Sequence, residues 1–340
     1  MRKRVVVAIV SVLGSIAVLA TAHLVSGQSS TGSNAGSSLK TPWGEPDLQG
    51  IWARDTDVPF ERPEAYAGRE FLTDEEVAAL DKKKAQDPGR NVPTREGDVG
   101  TYNAVFNSVL RTGKRTSLVV DPPDGRIPAL TPEGEKRNAV ANAALAKENN
   151  TLPDGPEDLS GMTRCLGSSL PNIGGGVFGN VAIRIVQSPG VFAIYQEFGH
   201  QGGSNRVLAI GPTPHLPSRL RFWLGDSRSH WDGNTLIVDT TNFTPRFTAD
   251  STFRTNYNGP RDNWHLVEQW TRIDDKTLRR RITFDDPTTW IKPWTVELEF
   301  GKSDEKTNLI FESACHEGNF SMAGILGGSR VQERAAAAKK

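Results

Sequence analysis

The segment that most constrains the fold is residues 221–243, RFWLGDSRSHWDGNTLIVDTTNF. Asp232-Gly233 is one of the strongest short-range signals for a tight hairpin turn. The residues on either side are β-branched, aromatic or alternating, as strands require. We therefore predict two antiparallel strands joined at this turn. Trp223 and Trp231 offer large apolar surfaces and are candidate ligand-binding residues.

The same alternation of strand and turn continues through the second half of the chain. Sequential antiparallel strands with short turns are typical of a meander, a sandwich or an up-and-down barrel. Closure into a barrel removes the edge strands, so the sequence favours a mainly β, antiparallel up-and-down barrel. The other predicted strands are residues 181–187, 191–198, 206–210, 264–273, 276–284, 294–301 and 307–315.

Two short helices are predicted before the barrel. Thr73 is a candidate N-cap and Glu76 completes a capping box, with a helix that runs to about Ala85. Thr131 is the second candidate N-cap, with Pro132 at the first helical position. The barrel is therefore preceded by an N-terminal extension of helix and loop.

The N-terminus predicts export to the periplasm or the extracellular space. Residues 1–4 are basic, residues 5–20 are apolar and small, and Ala20-Thr21-Ala22 resembles a cleavage site. We expect a mature protein that begins near His23 or Gln28, and the alternative is a single membrane anchor. The predicted division is a signal peptide at 1–27, a flexible tether at 28–41, the extension at 42–160, the barrel at 161–330 and a disordered tail at 331–340.

Composition limits the possible partners and cofactors. The formal net charge is zero and the charges are mixed, so the chain has no electrostatic footprint for nucleic acid or an anionic membrane. No nucleotide or flavin fingerprint and no H-x-H or H-E-x-x-H spacing occurs, so we predict neither a cofactor nor a metal site. Cys165 and Cys315 are the two cysteines. In an exported chain they predict a disulfide, with two buried thiols as the alternative.

The first hairpin carries the main candidates for chemistry. With the turn at 232–233, Asp226 lies opposite Asp239, and Arg228 and His230 share their face. Opposed carboxylates repel unless one is protonated or a cation joins them. One hypothesis is a pair of aspartates with different pKa values beside a histidine, suited to acid/base catalysis. The alternative is a structural network of arginine and aspartate.

The second hairpin adds three inward-facing candidates. With a two-residue turn at 274–275, His265, Gln269 and Arg280 fall on the apolar face, whereas Glu268 faces solvent. His265 is a candidate catalytic residue, with a satisfied core histidine as the alternative. Gln269 is a candidate ligand contact, and Arg280 is a candidate anchor for an anionic or carbonyl group.

A third group of candidates lies in loops. His316 and Glu317 follow Cys315 directly, so a disulfide would hold them near a barrel mouth as ligand contacts. The alternative is that they are exposed loop residues. His200 and His215 lie in loops rich in glycine and proline that are placed to cover the same mouth.

Seven stretches of the chain form a recognisable set of motifs: PDLQGIW (46–52), VDPPDGRIPALTPEG (120–134), RC (164–165), GDSRSHWDGNTLIVDTTNF (225–243), HLVEQWTR (265–272), DDPTTWIKPWT (285–295) and ACHEGNFSMAGIL (314–326). Together these stretches resemble a large family of uncharacterised secreted bacterial proteins. The resemblance spans most of the mature chain and implies little chemistry, although the barrel it suggests is lipocalin-like. Ser229 stands where such sequences are expected to have glycine.

Three functions remain open at this point. The first is a secreted hydrolase, lyase or isomerase that uses a barrel pocket for acid/base chemistry on a small organic molecule. The second is a non-catalytic, lipocalin-like binding protein for an amphipathic or apolar small molecule. The third is a cell-envelope interaction module. Convergent polar side chains around a pocket favour the enzyme, whereas acidic and histidine side chains that pair with each other favour the binding protein.

Overall fold

The computed structural model describes residues 39–54, 56–86, 110–159, 163–165, 182–197, 204–246, 256–306, 310, 317 and 319–339. These residues belong to one compact unit, Ser38–Lys340. The predicted signal peptide and all but the last three residues of the predicted tether lie outside the described residues. No helix in the described part of the chain is long and apolar enough to cross a membrane.

The fold is a nearly closed antiparallel barrel, as predicted. Nine of the described strands follow one another around it in chain order, β1, then β5 to β12, and β12 returns to β1. β4 pairs with β12 beside this ring, and β2 and β3 form a separate parallel pair. The strands are β1 (Gly50–Ala53), β2 (Thr56–Asp57), β3 (Arg111–Thr112), β4 (Val119–Asp121), β5 (Ile183–Ser188), β6 (Val191–Gln196), β7 (Ser204–Ala209), β8 (Asp226–Asp232), β9 (Thr235–Thr241), β10 (His265–Arg272), β11 (Thr277–Asp285) and β12 (Trp294–Lys302).

The ring closes weakly between β7 and β8. Because every other junction of the nine-strand ring is antiparallel, these two strands run parallel, and they meet at a bridge between Ile210 and Ser229. Gly211 donates its N–H to the Ser229 carbonyl (2.8 Å), and the Ser229 hydroxyl donates to the Ala209 carbonyl (2.9 Å). The Ser229 hydroxyl therefore supplies one of the bonds that close the barrel.

The barrel interior is filled with apolar side chains. Alternate residues of β5, β6, β9, β10 and β11 are buried, as the period-2 geometry of strands requires. Phe284 stacks on Trp294 with ring centroids 4.0 Å apart. Such filling is typical of small barrels, whose lumen has room for side chains. Five tryptophans are almost fully buried: Trp52, Trp264, Trp270, Trp290 and Trp294.

Both predicted helices of the extension are present. α1 (Asp74–Ala85) has the predicted capping box, with reciprocal hydrogen bonds between Thr73 and Glu76. α2 (Pro132–Asn150) begins after Thr131, whose hydroxyl accepts a backbone N–H three residues further on (3.0 Å). Two separate 3₁₀ helices also lie in the described part of the extension, at 64–66 and 156–158. β1, which was assigned to the extension, is a strand of the barrel.

The C-terminal end differs from the prediction. The predicted disordered tail at 331–340 is largely helical, because α3 spans Phe320–Ala337. Alanine, arginine, glutamine and glutamate in this stretch have high helix propensity, and Arg330 pairs with Glu333 at 2.7 Å within one turn. Nearly all of the strand predicted at 307–315 lies outside the described residues.

The cysteine pairing stays a prediction. Cys165 is buried, with 3% of its surface exposed, and the described residues contain no free cysteine. Cys315 lies outside the described residues.

Candidate functional site

The turn of the first hairpin lies one residue later than predicted. Asp232 pairs with Thr235, so Gly233 and Asn234 form the two-residue loop. Gly233 has φ +57°, the left-handed conformation that the first turn position of a type II′ hairpin needs. The pairing of Asp232 with Thr235 therefore places Asp232 in the strand and Gly233 at the first position of the turn.

The shift changes the cross-strand partners of the aspartates. Asp226 lies opposite Thr241 and Asp239 lies opposite Arg228, so the predicted pairing of the two aspartates is wrong. The register moves by two residues, which is the side-chain period of a strand. Asp226, Arg228, His230 and Asp239 therefore keep the shared face that was predicted. That face is the outer wall of the barrel, because the alternate residues of β9 point into the core.

A histidine joins the two aspartates on the outer wall. The Nδ1 atom of His215 lies 3.0 Å from Oδ2 of Asp226, and its Nε2 atom lies 2.9 Å from Oδ1 of Asp239. His265 approaches the other oxygen of Asp239 with its Nε2 atom at 2.9 Å. Arg228 pairs with Asp226 at 2.9 Å. We call these five residues the outer cluster.

The pKa shifts of Asp239 and His265 favour an ion pair between these two residues. Burial raises the pKa of Asp239, but the hydrogen bonds and charges of His265 and His215 outweigh burial and hold it below its usual value. The hydrogen bond to Asp239 raises the pKa of His265 against the effect of burial. The acid/base hypothesis required an aspartate with a raised pKa, and Asp239 is shifted the other way.

The outer cluster also fixes a loop to the barrel wall. Asp226 is 7% exposed and accepts the backbone N–H of Leu216 at 2.8 Å, in addition to its bond with His215. Arg228 donates to the carbonyl of Pro214 at 2.8 Å. His215, which was predicted in a loop over the barrel mouth, therefore attaches residues 211–217 to β8 and β9.

The second hairpin also has a different turn. Ile273 donates to the carbonyl of Thr277 (2.9 Å), which leaves a three-residue loop at 274–276. Inside the loop, Asp274 accepts the backbone N–H of Lys276 at 2.8 Å. The register therefore slips by one residue from the prediction, and such a slip exchanges the two faces of a strand.

This slip places the side chains of β10 on the opposite faces of the barrel wall from those predicted. His265 and Gln269 lie on the outer wall, so their predicted inward orientation is wrong. Glu268, predicted in solvent, is 0% exposed inside the barrel. Arg280 on β11 faces inward as predicted and is 3% exposed.

Two arginines surround Glu268 in the interior. Arg206 donates from Nη1 to Oε1 of Glu268 at 2.7 Å. Arg280 donates from Nε and Nη2 to Oε2 at 3.1 and 2.8 Å, and its guanidinium lies 4.7 Å from the centroid of the Trp270 ring. Trp270 adds a hydrogen bond to Oε2 at 3.1 Å. We call Arg206, Glu268 and Arg280 the interior triad.

The interior triad carries one more positive than negative charge. Burial raises the pKa of Glu268, but Arg206 and Arg280 outweigh it and keep the carboxylate ionised. Arg206 also bonds Ser227 (3.0 Å) and Thr240 (3.4 Å) through Nη2. Its buried Nε atom has no hydrogen-bond partner among the described residues. Uncompensated charge in a buried site is costly, and the triad keeps one net positive charge although Arg206 is paired with Glu268, so the triad favours an added anion.

A cavity of about 280 Å³ reaches Arg206 through the weak junction of β7 and β8. We call it the seam pocket. Gly225 at its rim has φ +71°, and a Cβ there would lie 2.6 Å from the Thr241 carbonyl oxygen, so the close approach of this segment to β9 requires glycine. The pocket is lined by Asn205, Arg206, Val207, Leu208, Phe222, Leu224, Gly225, Asp226, Ser227 and Arg228.

The remaining predicted residues lie apart from these groups. His230 is exposed on the outer wall, and Trp223 is 41% exposed beside the seam pocket. Trp231 is partly buried and packs against the core. Glu317 is exposed, and His316 lies outside the described residues.

Sequence reasoning missed the role of Arg206. It was placed in a predicted strand, but Arg206, Leu208 and Ile210 alternate with Val207 and Ala209. Both sets contain apolar residues, so the pattern does not say which set faces inward. A useful signal was the single charged residue in an otherwise apolar strand.

The comparisons with known proteins assign this chain to no family, so the barrel is defined by its own strand pairing. No protein-family model matches the chain, and no curated protein matches it. A solved structure named REP1-NXSQ fatty acid transporter is 11% identical with a TM-score of 0.24, and the match covers 44% of this chain and 89% of that chain. A mutant of the fluorescent protein UnaG is 14% identical with a TM-score of 0.25, and that match covers 42% of this chain and 86% of the mutant. Both scores are too low to support an argument about ligand.

Proposed function

We propose that this protein is a binding protein for a small amphipathic anion, held in the seam pocket with its acidic group on Arg206. The observation that carries the proposal is the buried guanidinium of Arg206, whose Nε atom lacks a partner among the described residues and which lines the pocket. Glu268 neutralises one of the two interior arginines, and the ligand neutralises the other.

The lining supports a carboxylate with a compact apolar body. Ser227 supplies a hydroxyl next to the guanidinium, and Arg228 stands at the outer side. Phe222 and Leu224 provide the apolar wall. The volume of about 280 Å³ lies at the lower end of the ~300–1,000 Å³ typical of ligand pockets. A monoanion with a single ring or a short chain fits this size.

The outer cluster supports binding rather than acid/base catalysis. Asp226, Asp239 and His265 are bonded to His215 or to each other. These bonds give the cluster a structural task, which is to hold the loop that leads to the rim of the seam pocket. The alternative of a barrel enzyme would require these groups to release one another in order to reach a substrate.

The proposal is tested with benzoate and with benzamide, which has nearly the same shape and no charge. We expect benzoate to raise the melting temperature of the wild-type protein and to give a calorimetric binding isotherm. At a concentration of 100 times the dissociation constant, the gain in stability is about 2.7 kcal/mol. Benzamide is expected to give no comparable gain.

The matched variants are Arg206→Met and Arg184→Gln. Arg206→Met leaves Glu268 and Arg280 as a balanced pair and removes the binding cation. Arg184→Gln removes an exposed guanidinium from the outer face of β5. Loss of benzoate binding in the first variant alone supports the proposal. Equal responses to benzoate and benzamide, or an unchanged Arg206→Met variant, contradict it, and Phe222→Ala provides a second test at an exposed lining residue.

We also propose that the protein is exported and that Cys165 is bonded to Cys315. The proposal is supported by the basic and apolar N-terminus and by the absence of a free cysteine among the described residues. N-terminal sequencing of exported protein should begin near His23 or Gln28. Two titratable thiols in denatured, unreduced protein from its native compartment would contradict the disulfide.

A further inference from the structure

A second cavity lies where the N-terminal extension meets the outer wall of the barrel. It has a volume of about 560 Å³, well inside the ~300–1,000 Å³ range typical of ligand pockets. Its walls come from α1, the β2–β3 pair and the outer faces of β11 and β12. We call it the extension cavity, and its characteristic lining residues are Arg54, Phe71, Arg111, Arg115, Arg279 and Glu297.

Four arginines line the extension cavity, and Arg279 and Arg54 are the two whose surroundings suit an anion. Arg279 on β11 is half-buried, and its side chain has no hydrogen bond or ion pair among the described residues. Arg54 is 5% exposed, and burial lowers its pKa although the charge of Asp57 acts in the opposite direction. Burial makes a guanidinium costly to keep charged, and a negatively charged ligand offsets that cost.

Two of the three carboxylates that line the cavity already have a cationic or backbone partner. Glu297 is bonded to Arg115 at 2.8 Å. Asp81 accepts the backbone N–H of Thr112 at 2.6 Å. The third, Glu299, is exposed on β12 directly opposite Arg279, but no ion pair joins these two side chains. The acidic groups therefore leave Arg279 as the cation best placed to receive an anion, with the buried Arg54 as a second positive charge in the same lining.

One side of the cavity is apolar. Phe71 is 51% exposed and stacks with the Arg115 guanidinium, which lies 4.9 Å from its ring centroid. Val58 and the buried Leu118 continue this wall. An exposed aromatic ring beside guanidiniums suits a ligand that has both an apolar body and a charged group.

We propose that the extension cavity is a second ligand site, for an organic phosphate monoester whose phosphate is bound by Arg279 and Arg54 and whose organic part packs on Phe71. The planar fork of a guanidinium matches two phosphate oxygens, and two such forks suit a dianion. The seam pocket, with one uncompensated charge, suits a monoanion instead. The two sites are thus distinguished by ligand charge.

The test is a calorimetric titration of the full chain with phenyl phosphate at pH 8, where its phosphate is doubly charged. Arg279→Gln is expected to weaken binding at least tenfold, because it removes a charged bidentate contact. Arg184→Gln removes the same charge elsewhere on the outer wall and is expected to leave the affinity within twofold. Equal losses in the two variants would show a diffuse electrostatic effect and overturn the proposal, as would no binding of phenyl phosphate.

A second pair of measurements tests the apolar wall and separates the two sites. Phe71→Ala is expected to weaken phenyl phosphate severalfold and to leave inorganic phosphate binding unchanged; equal effects on both ligands would contradict the assigned orientation. Arg279→Gln should leave benzoate binding unaltered. Failure of benzoate binding in the wild-type protein would count against the seam pocket alone, and the phenyl phosphate result would stand independently.

Discussion

Replacing Glu268 with glutamine removes the only acidic group of the interior triad while keeping the shape of the side chain. Arg206 and Arg280, which are 6% and 3% exposed, would then share the interior without a counter-charge. Their ion pairs with Glu268 at 2.7 and 2.8 Å are lost together. We expect a large loss of stability from this substitution of one oxygen by an amide nitrogen.

The magnitude follows from the cost of an uncompensated buried charge. Removing one partner of a buried ion pair typically costs about 3–5 kcal/mol, and here two cations lose the same partner. Arg206→Met is the informative comparison, because it leaves Glu268 and Arg280 as a one-to-one pair. Its expected cost is smaller, about 1.5–3 kcal/mol for the lost charged hydrogen bonds.

The assay is urea unfolding of the three proteins at pH 7, repeated at lower pH. Glu268 has a lowered pKa in the folded protein, with burial outweighed by the two arginines. Its contribution is therefore complete above the unfolded pKa of about 4.3 and is lost as pH falls through the lower folded pKa. The stability difference between wild type and Glu268→Gln should shrink in that acidic range. A loss under about 1 kcal/mol at pH 7, the level of an exposed pair, would show that Glu268 does not compensate two buried charges.

Three further predictions concern the outer wall and the rim of the seam pocket. The pKa of Asp239 is lowered and that of His265 is raised. The stabilisation from this pair is therefore lost as pH falls through the pKa of Asp239 and also as pH rises through the pKa of His265. His265→Asn should remove the loss on the alkaline side in melting curves recorded from about pH 4 to 9. Gly225→Ala should lower the melting temperature more than Gly190→Ala, because both positions have positive φ but only the first would place a Cβ against a backbone carbonyl at 2.6 Å; equal shifts would contradict the close approach. His215→Gln should increase hydrogen exchange in residues 211–217, and unchanged exchange would show that the loop is held by other contacts.

Local patterns predicted the elements of this fold well. The hairpin around Gly233 and the capping box of Thr73 and Glu76 depend on residues within a few positions of each other. The strand order of an up-and-down barrel follows from short turns, which leave sequential strands few other neighbours. The helix at Phe320–Ala337 was missed because residues 320–330 were assigned to the barrel and residues 331–340 to a disordered tail, although many residues of the predicted tail favour helix.

The candidate site was harder to predict because it depends on register. The loop at 274–276 has three residues where two were assumed, and this difference alone moves Glu268 from solvent to the interior. A register shift of two residues in the first hairpin left each side chain on its predicted face, whereas a shift of one residue in the second hairpin exchanged the faces of β10. The turn residues did not fix the position of the two-residue loop in the first hairpin or the length of the loop in the second.

Contacts between residues far apart in the sequence also limited how much of the site could be predicted. Arg206 and Glu268 are separated by 62 positions, and no local pattern brings them together. His215 reaches Asp226 and Asp239 from a loop whose proline and glycine residues give no sequence period. Its position became clear only when the strands that carry its partners were placed in space.

The most direct test of the central claim is a crystal structure of the protein with 4-iodobenzoate, located by the anomalous signal of iodine. We expect one strong peak in the seam pocket, with the carboxylate within hydrogen-bond distance of the Arg206 guanidinium and the ring against Phe222. An occupied ligand elsewhere, with the seam pocket empty at saturating 4-iodobenzoate, would contradict the account.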